Sequence, residues 1–336
     1  MYKVFLHIVF FFCLLQGNAQ TNLIYNGDFE LYDTCPLGES MPSQYPNYEI
    51  EKCLGWTAPT IGTSDYQNTC SLGLCSSVPV NCGGEQLPYS GNGYCGGFFY
   101  STMGGTGPNC GSCITWWEYI QGQFIQPLEE GRVYRISIYL SLGEVSEFAL
   151  GQLGIYISID SIRNMSTTQP LNVTPQIESP SGYYFADTLN WMEFSGYYLA
   201  DGGEQYLTIG NFKDSITSDT LRMKQWDPPF PAAYYYVDGA STIDVTDEFL
   251  MPNIFTPNDD GINDYWEYNL QLSDTKLIIF DRWGNEINRL NEYPFIWNGE
   301  NFQGSKCSDG VYYYVVNTKG KTLSEKLKRG FIQLVR

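Results

Sequence analysis

The chain has 336 residues, with 37 Asp and Glu against 18 Lys and Arg and a formal net charge of −19. Such acidity excludes a polyanion binder, because nucleic-acid affinity is carried by cationic contacts to phosphate. The single histidine, His7, lies in a leader-like segment, so residues 20–336 have no imidazole for Ser-His-Asp or Cys-His catalysis or for His-ligated zinc. Carboxylate or tyrosine chemistry, calcium and pure binding remain.

Residues 1–19 carry one early charge, Lys3, then the apolar run 4–15 broken only by His7, then Gly17, Asn18 and Ala19 ahead of Gln20. This reads as a signal peptide removed on export. The run is too short for a membrane core that needs roughly twenty residues. Three phenylalanines precede Cys13 where a lipobox wants small residues. No later segment is apolar enough to span a bilayer, so the exported chain is expected to be soluble and not membrane-spanning.

Beyond the leader, strand patterns dominate. Alternation is good in 132–140 (RVYRISIYL), 153–159 (LGIYISI), 204–210 (EQYLTIG) and 234–238 (YYYVD). These runs are β-branched and aromatic, bounded by Gly, Pro, Asn and Asp, and no window holds a helical period. The expectation is an all-β chain of two units, 20–247 and 248–336. Residues 66–111, crowded with Gly, Cys, Pro and Ser, read as a long stapled surface excursion. Eight cysteines lie in or near it: Cys35, Cys53, Cys70, Cys75, Cys82, Cys95, Cys110 and Cys113. An even, dense set in an exported segment predicts disulfides, with the connectivity open. Cys110 and Cys113 have zinc-ribbon spacing but lack a second such pair. Cys307 stands apart, read as a small buried residue.

Residues 22–30 (NLIYNGDFE), Gly55-Trp56, 89–94 (YSGNGY), 127–134 (PLEEGRVY), 203–212 (GEQYLTIGNF) and 234–238 come in an order that resembles the jelly-roll, galactose-binding-like fold of many carbohydrate-binding modules. That resemblance implies a β-sandwich. It also implies a structural calcium where first and last strands meet, with Glu30 and Asp238 as carboxylate ligands, Asp28 as a further candidate, and carbonyls of Asn92 or Tyr94. Hard Ca²⁺ wants several oxygens, which an acidic chain supplies. Gly239 stands where the family's second Asp would be.

For a glycan site the candidates are Trp116, Trp117, Glu118 and Tyr119, with Trp56. Exposed rings stack on sugar C–H faces while carboxylates bond hydroxyls. The alternative makes Trp117 and Tyr119 core residues; adjacent Trp116 and Trp117 must point to opposite faces if extended. A carboxylate-pair hydrolase needs no histidine, yet no nucleophile elbow, HExxH or phosphate loop occurs. Non-enzymatic binding of a glycan or an adhesion partner is the leading reading, a purely structural surface role the third. Ser161, Thr188, Ser215 and Thr220 each follow an Asp and precede an aliphatic residue, resembling the Bacteroidetes O-glycosylation tripeptide.

The charge balance changes near residue 249: 26 acidic and 7 basic residues in 20–249, then 11 and 10 in 250–336. Residues 251–266 (MPNIFTPNDDGINDYW), 277–287 (LIIFDRWGNEI), 293–304 (YPFIWNGENFQG), 308–316 (SDGVYYYVV) and 330–336 (GFIQLVR) form five ordered motifs. They resemble the gliding-motility-associated C-terminal domain of Bacteroidetes, the type B sorting signal of type IX secretion. The resemblance implies an Ig-like sandwich recognised by the outer-membrane translocon and associated outer-membrane proteins, with export to the cell exterior. Phe280, Trp283 and Trp297 are expected as core aromatics, and Tyr312, Tyr314 and Val316 as one buried strand face. Lys326, Lys328 and Arg329 read as a blunted edge. Asn258, Asp260 and Asp264 around Gly261 partly imitate a calcium loop but lack its first acid and distal Glu; an Asx-rich turn is the competing reading.

Overall fold

The computed structural model describes residues 21–38, 48–103, 114–225, 231–246, 253–268, 276–319 and 325–336. The leader 1–19, Cys110 and Cys113, and the side chains of Lys326 and Lys328 lie outside the described residues.

Two antiparallel sheets face each other in the first unit. One runs in the order Trp56–Thr57, Ile120–Gln123, Tyr206–Gly210, Gly154–Ser158, Ile177–Glu178. The other, six-stranded, runs Met192–Leu199, Val133–Leu142, Ala232–Asp244, Gly93–Met103, Asp65–Asn68, with Ile114–Thr115 also paired to Gly93–Met103. The chain passes repeatedly between them, as a jelly roll does. Side-chain alternation sets the packing. Ile136, Ile138, Leu140 and Leu142 of one strand and Tyr235 and Val237 of the next point inward and are buried, meeting Ile120, Ile155, Leu207 and Ile209 of the opposite sheet in one apolar core. The strands predicted at 132–140, 153–159, 204–210 and 234–238 are all present. The described residues hold one complete 3-10 turn, Glu49–Lys52, and among them there is no α-helix.

The stretch 66–111 departs from expectation. Its beginning and its middle are strands, Asp65–Asn68 and Gly93–Met103, paired Tyr66 to Cys95 and Gln67 to Tyr94 within the six-stranded sheet. Among the described residues the segment between them is the excursion, held by the disulfides Cys35–Cys70 and Cys75–Cys82. Glycines hide this strand from a propensity reading. At Gly96 and Gly97 a Cβ would meet Tyr234 Oη at 2.4 Å and Glu118 Oε2 at 3.1 Å, so the missing side chains make room for neighbours.

The second unit builds its own sheets. Ile254–Phe255, Glu325–Leu334, Gly310–Lys319, Lys276–Phe280 and Glu286–Leu290 form a five-stranded sheet in that order, and Trp266–Tyr268 pairs with Phe295–Trp297. Among the described residues no strand before 246 pairs with one after 253. Trp266, Tyr268, Phe295 and Trp297 are buried against Leu277, Ile279, Tyr312, Tyr314, Val316, Ile332 and Leu334, closing a small sandwich. Val133 and Val245, at one end of the larger sandwich, join this second cluster. Tyr312, Tyr314 and Val316 share the buried face as their alternation requires. Trp283 does not follow expectation: it is 78% exposed, while Trp297 is core and Phe280 half-buried. Its turn explains this, since Asp281 Oδ1 accepts the Trp283 and Asn285 amides at 2.8 and 2.9 Å and aims the ring outward.

Candidate functional site

The aromatic candidates of the sequence are core residues. Trp117 and Tyr119 are fully buried, and Trp56 is 1% exposed with its Nε1 donating to Asn26 O at 2.9 Å. Tyr119 spends its hydroxyl on Asn211 O at 2.7 Å. Glu118 is buried as well: Oε1 accepts from Thr63 N, Thr63 Oγ1 and Trp116 Nε1 at 2.8, 2.7 and 2.8 Å, and Oε2 accepts from Phe98 N at 2.7 Å. Those residues give a sugar no ring and no free carboxylate. Trp116, half-buried, is the partial exception, pointing away from Trp117 as the alternation of extended chain demands.

A different surface has the required chemistry. On the outer face of the six-stranded sheet, register aligns Glu193 with Tyr139 and Asp238, Ser195 with Ser137 and Ser241, and Tyr197 with Arg135 and Ile243. The loop after residue 86 folds back over this face. Tyr89 stacks on Tyr139 with centroids 3.7 Å apart and planes at 15°, and Trp191 stands edge-on to Tyr89 at 6.5 Å while donating to Leu87 O at 2.9 Å. The Tyr89 side chain hydrogen-bonds Tyr139 and, with burial, pushes the Tyr139 hydroxyl up to about 12. Tyr89 is 46% and Tyr197 42% exposed. Between the rings, Arg135 is paired with Glu193 and reaches Ser195 Oγ at 3.5 Å. Flat apolar faces beside a guanidinium, a carboxylate and hydroxyls are what a polyhydroxylated ligand needs. Sequence reasoning missed these residues because they come from three separated segments; the alternation of Arg135, Ser137 and Tyr139 with buried isoleucines was the available signal.

Deeper in the same face, Tyr94, Tyr234 and Tyr236 form a second aromatic cluster roofed by the excursion, with Tyr236 Oη donating to Asn81 Oδ1 at 2.7 Å. At its edge opens a cleft of about 600 Å³ lined by Gly83, Gly84, Glu144, Ser146, Thr188 and Lys224 among others. Among the described residues Glu144 is the only carboxylate in that lining, which gives no opposed acid pair for glycoside hydrolysis. A smaller cleft, about 420 Å³, includes Asp160, Asp201 and Glu204. There Glu204 is committed as an acceptor, from Tyr198 Oη at 2.5 Å, Asp201 N at 2.7 Å and Gly202 N at 2.9 Å.

The proposed calcium ligands partly converge. Glu30 Oε1 accepts from Asn92 N at 2.6 Å and Gly93 N at 2.8 Å, and its Oε2 from Asn92 Nδ2 at 2.9 Å. Asp238 accepts from Ser90 N at 3.0 Å and Gly239 N at 2.6 Å. Burial, with a smaller push from the Glu30 charge, raises the Asp238 carboxyl to about 7 against the opposing amides. Asp28 is exposed, and the Tyr94 ring lies in the outer-face cluster. Amide N–H groups bond each of these carboxylate oxygens, and among the described residues no three acidic, cysteine or histidine side chains are placed to hold a metal ion. The second set is an Asx-rich turn: Asp264 Oδ1 accepts from Asn258 N and Asp259 N at 3.0 and 2.7 Å, Oδ2 from Gly261 N at 2.7 Å, and Asp260 Oδ1 from Ile262 N at 2.7 Å.

Ser161 is exposed, and Thr188, Ser215 and Thr220 are half-buried. Asp187 and Asp214 beside two of them accept the local amides of Leu189 and Ile216 at 2.8 and 3.0 Å. Cys53 and Cys95 are buried free thiols, and Cys307 is half-buried, where burial raises its thiol.

Residues 249–334 match the CHU_C type IX secretion signal domain. That signal implies export to the cell surface or the extracellular space. No curated protein matches the chain. Among solved structures, the CBM22-1 xylan-binding domain of Xyn10C from Paenibacillus barcinonensis is 14% identical with a TM-score of 0.31, over 57% of this chain and 86% of that one. The K1 cleaved adhesin domain of Lys-gingipain from Porphyromonas gingivalis is 13% identical with a TM-score of 0.27, over 57% and 91%. No helix of the described residues is long and apolar enough to cross a membrane.

Proposed function

We propose that the chain, after loss of residues 1–19, is passed by its sorting domain through the type IX translocon and associated outer-membrane proteins, and that its jelly roll then binds an extracellular polysaccharide without cleaving it. The observation behind this reading is the outer-face platform: the Tyr89–Tyr139 stack and exposed Tyr197 flank the Arg135–Glu193 pair. Stacking orients a sugar ring, and the charged pair bonds its hydroxyls. Tyr139, Arg135, Glu193 and Tyr197 sit on paired strands, which lowers the ordering cost of binding.

A glycan array on the full chain tests it, alongside Tyr139→Ala and Tyr197→Ala variants shown to be folded by circular dichroism. Binding that each variant weakens about tenfold supports the platform, that being about 1.4 kcal/mol per ring. Release of reducing ends from a bound glycan would establish a hydrolase instead. Binding indifferent to both variants, or none to any glycan, overturns the proposal and leaves a protein partner or a structural role.

A further inference from the structure

Two cysteines outside that surface meet in the core. Cys53 follows the 3-10 turn Glu49–Lys52, and Cys95 lies in the strand Gly93–Met103; neither has any exposed surface. Burial first, and then the neighbouring Cys53 thiol, push the Cys95 thiol well above its usual range. Their surroundings agree. Asn26 Nδ2 donates to Cys53 Sγ at 3.3 Å, and the same sulfur lies 3.9 Å from Phe29 O. That carbonyl also receives the Tyr66 hydroxyl at 2.8 Å, and Tyr66 is the ladder partner of Cys95.

Topology makes the pair more than a chance contact. Tyr32 bridges Cys53, Tyr66 pairs with Cys95, and the Tyr32 and Tyr66 rings lie 6.1 Å apart. A few residues beyond each tyrosine, Cys35 and Cys70 are bonded across the same junction. The junction between the amino-terminal segment and the edge of the six-stranded sheet thus has one covalent link and, beside it, two buried thiols, each paired with one of the two tyrosines.

We propose that Cys53 and Cys95 form a disulfide in the exported protein, a second staple parallel to Cys35–Cys70. The two thiols lose two protons and two electrons as the S–S bond forms. The electrons pass to a disulfide-form thiol oxidant, which leaves as its dithiol after exchange through a mixed disulfide. Because a fully buried thiol offers no path to that oxidant, the exchange takes place on the incompletely folded chain, before the core closes. Afterwards the same burial shields the bond from reductants.

The test is a peptide map of the full chain recovered from the secreting host. The protein is denatured in urea with an alkylating agent and no reductant, then digested and read by mass spectrometry. A cross-linked peptide containing Cys53 and Cys95, lighter by two hydrogens than the reduced pair and lost on reduction, is the expected result. Alkylated Cys53 and Cys95, or either one linked to another cysteine, overturns the proposal. A Cys53→Ala/Cys95→Ala double variant gives a second readout. Its melting temperature should fall roughly 5 to 10 °C below that of the parent, with the gap narrowing once both proteins have been reduced in urea and refolded in reductant. An equal gap under both conditions means packing and no bond, and the peptide map decides alone if the variant fails to fold.

Discussion

Glu118 Oε1 holds Thr63 twice, accepting its backbone N–H at 2.8 Å and its hydroxyl at 2.7 Å. The same carboxylate takes the Phe98 amide at 2.7 Å through Oε2. One buried side chain therefore ties both the loop before Asp65–Asn68 and the strand Gly93–Met103, already ladder partners, to the segment that carries Trp116 and Glu118. A buried charge is tolerated when its lone pairs are met by donors, and here four donors meet them.

Removing that acceptor strands several buried N–H groups at once. Glu118→Ala should cost about 3 kcal/mol of unfolding free energy, and Glu118→Gln less because one oxygen remains. Urea denaturation of the full chain measures both. A Glu118→Ala protein as stable as the parent would show that the network contributes nothing.

Asp238 sets a pH dependence of the opposite sense to the usual paired carboxylate. Burial raises its carboxyl from 3.8 to about 7, so the folded chain retains a proton that the unfolded chain has released between those values. Stability from this residue is accordingly greatest at low pH, declines as pH rises through that window and levels off above it, by about 4 kcal/mol. Asp238→Asn removes the titration. Comparing urea midpoints at about pH 4.5 and about pH 7.5, the parent should lose stability relative to Asp238→Asn. Parallel profiles for the two proteins would refute the assignment.

Glu30 and calcium can be separated by one experiment. The Glu30 carboxylate is already bonded to Asn92 and Gly93 amides. Glu30→Gln should therefore lower stability by about 1 kcal/mol with or without EDTA, while EDTA alone leaves the parent's melting temperature unchanged. A drop on chelation, restored by calcium, would instead assign Glu30 and Asp238 to an ion.

The strands were legible because their chemistry is local: alternation in 132–140 and 153–159 needs no knowledge of partners. Gly96 and Gly97 defeated the same reading, since a strand whose side chains are absent to admit Tyr234 and Glu118 looks like a loop. The site failed for a related reason. Trp117 and Tyr119 are equally aromatic buried or exposed, and nothing near them in sequence reveals Thr63, the residue that draws Glu118 inward. The platform depends on register between residues more than fifty positions apart, such as Tyr139 with Glu193, which periodicity cannot supply.

Trp283 separates folding from sorting. It is 78% exposed, and its only ring partner among the described residues is Arg282, 5.4 Å from the centroid. Asp281 and left-handed Gly284 build the turn without the indole. The indole adds no packing to its own domain, and aromatic rings are enriched in protein interfaces, so it is available to the sorting contact proposed above. Trp283→Ala should leave stability within about 0.5 kcal/mol of the parent, yet reduce the amount reaching the cell exterior. Deleting 249–336 should abolish export and hold the jelly roll in the periplasm. Fractionation and immunoblotting of the three strains read both effects. Normal export of the truncated chain would refute the sorting role, whereas normal export of Trp283→Ala alone would remove only the indole from the docking surface.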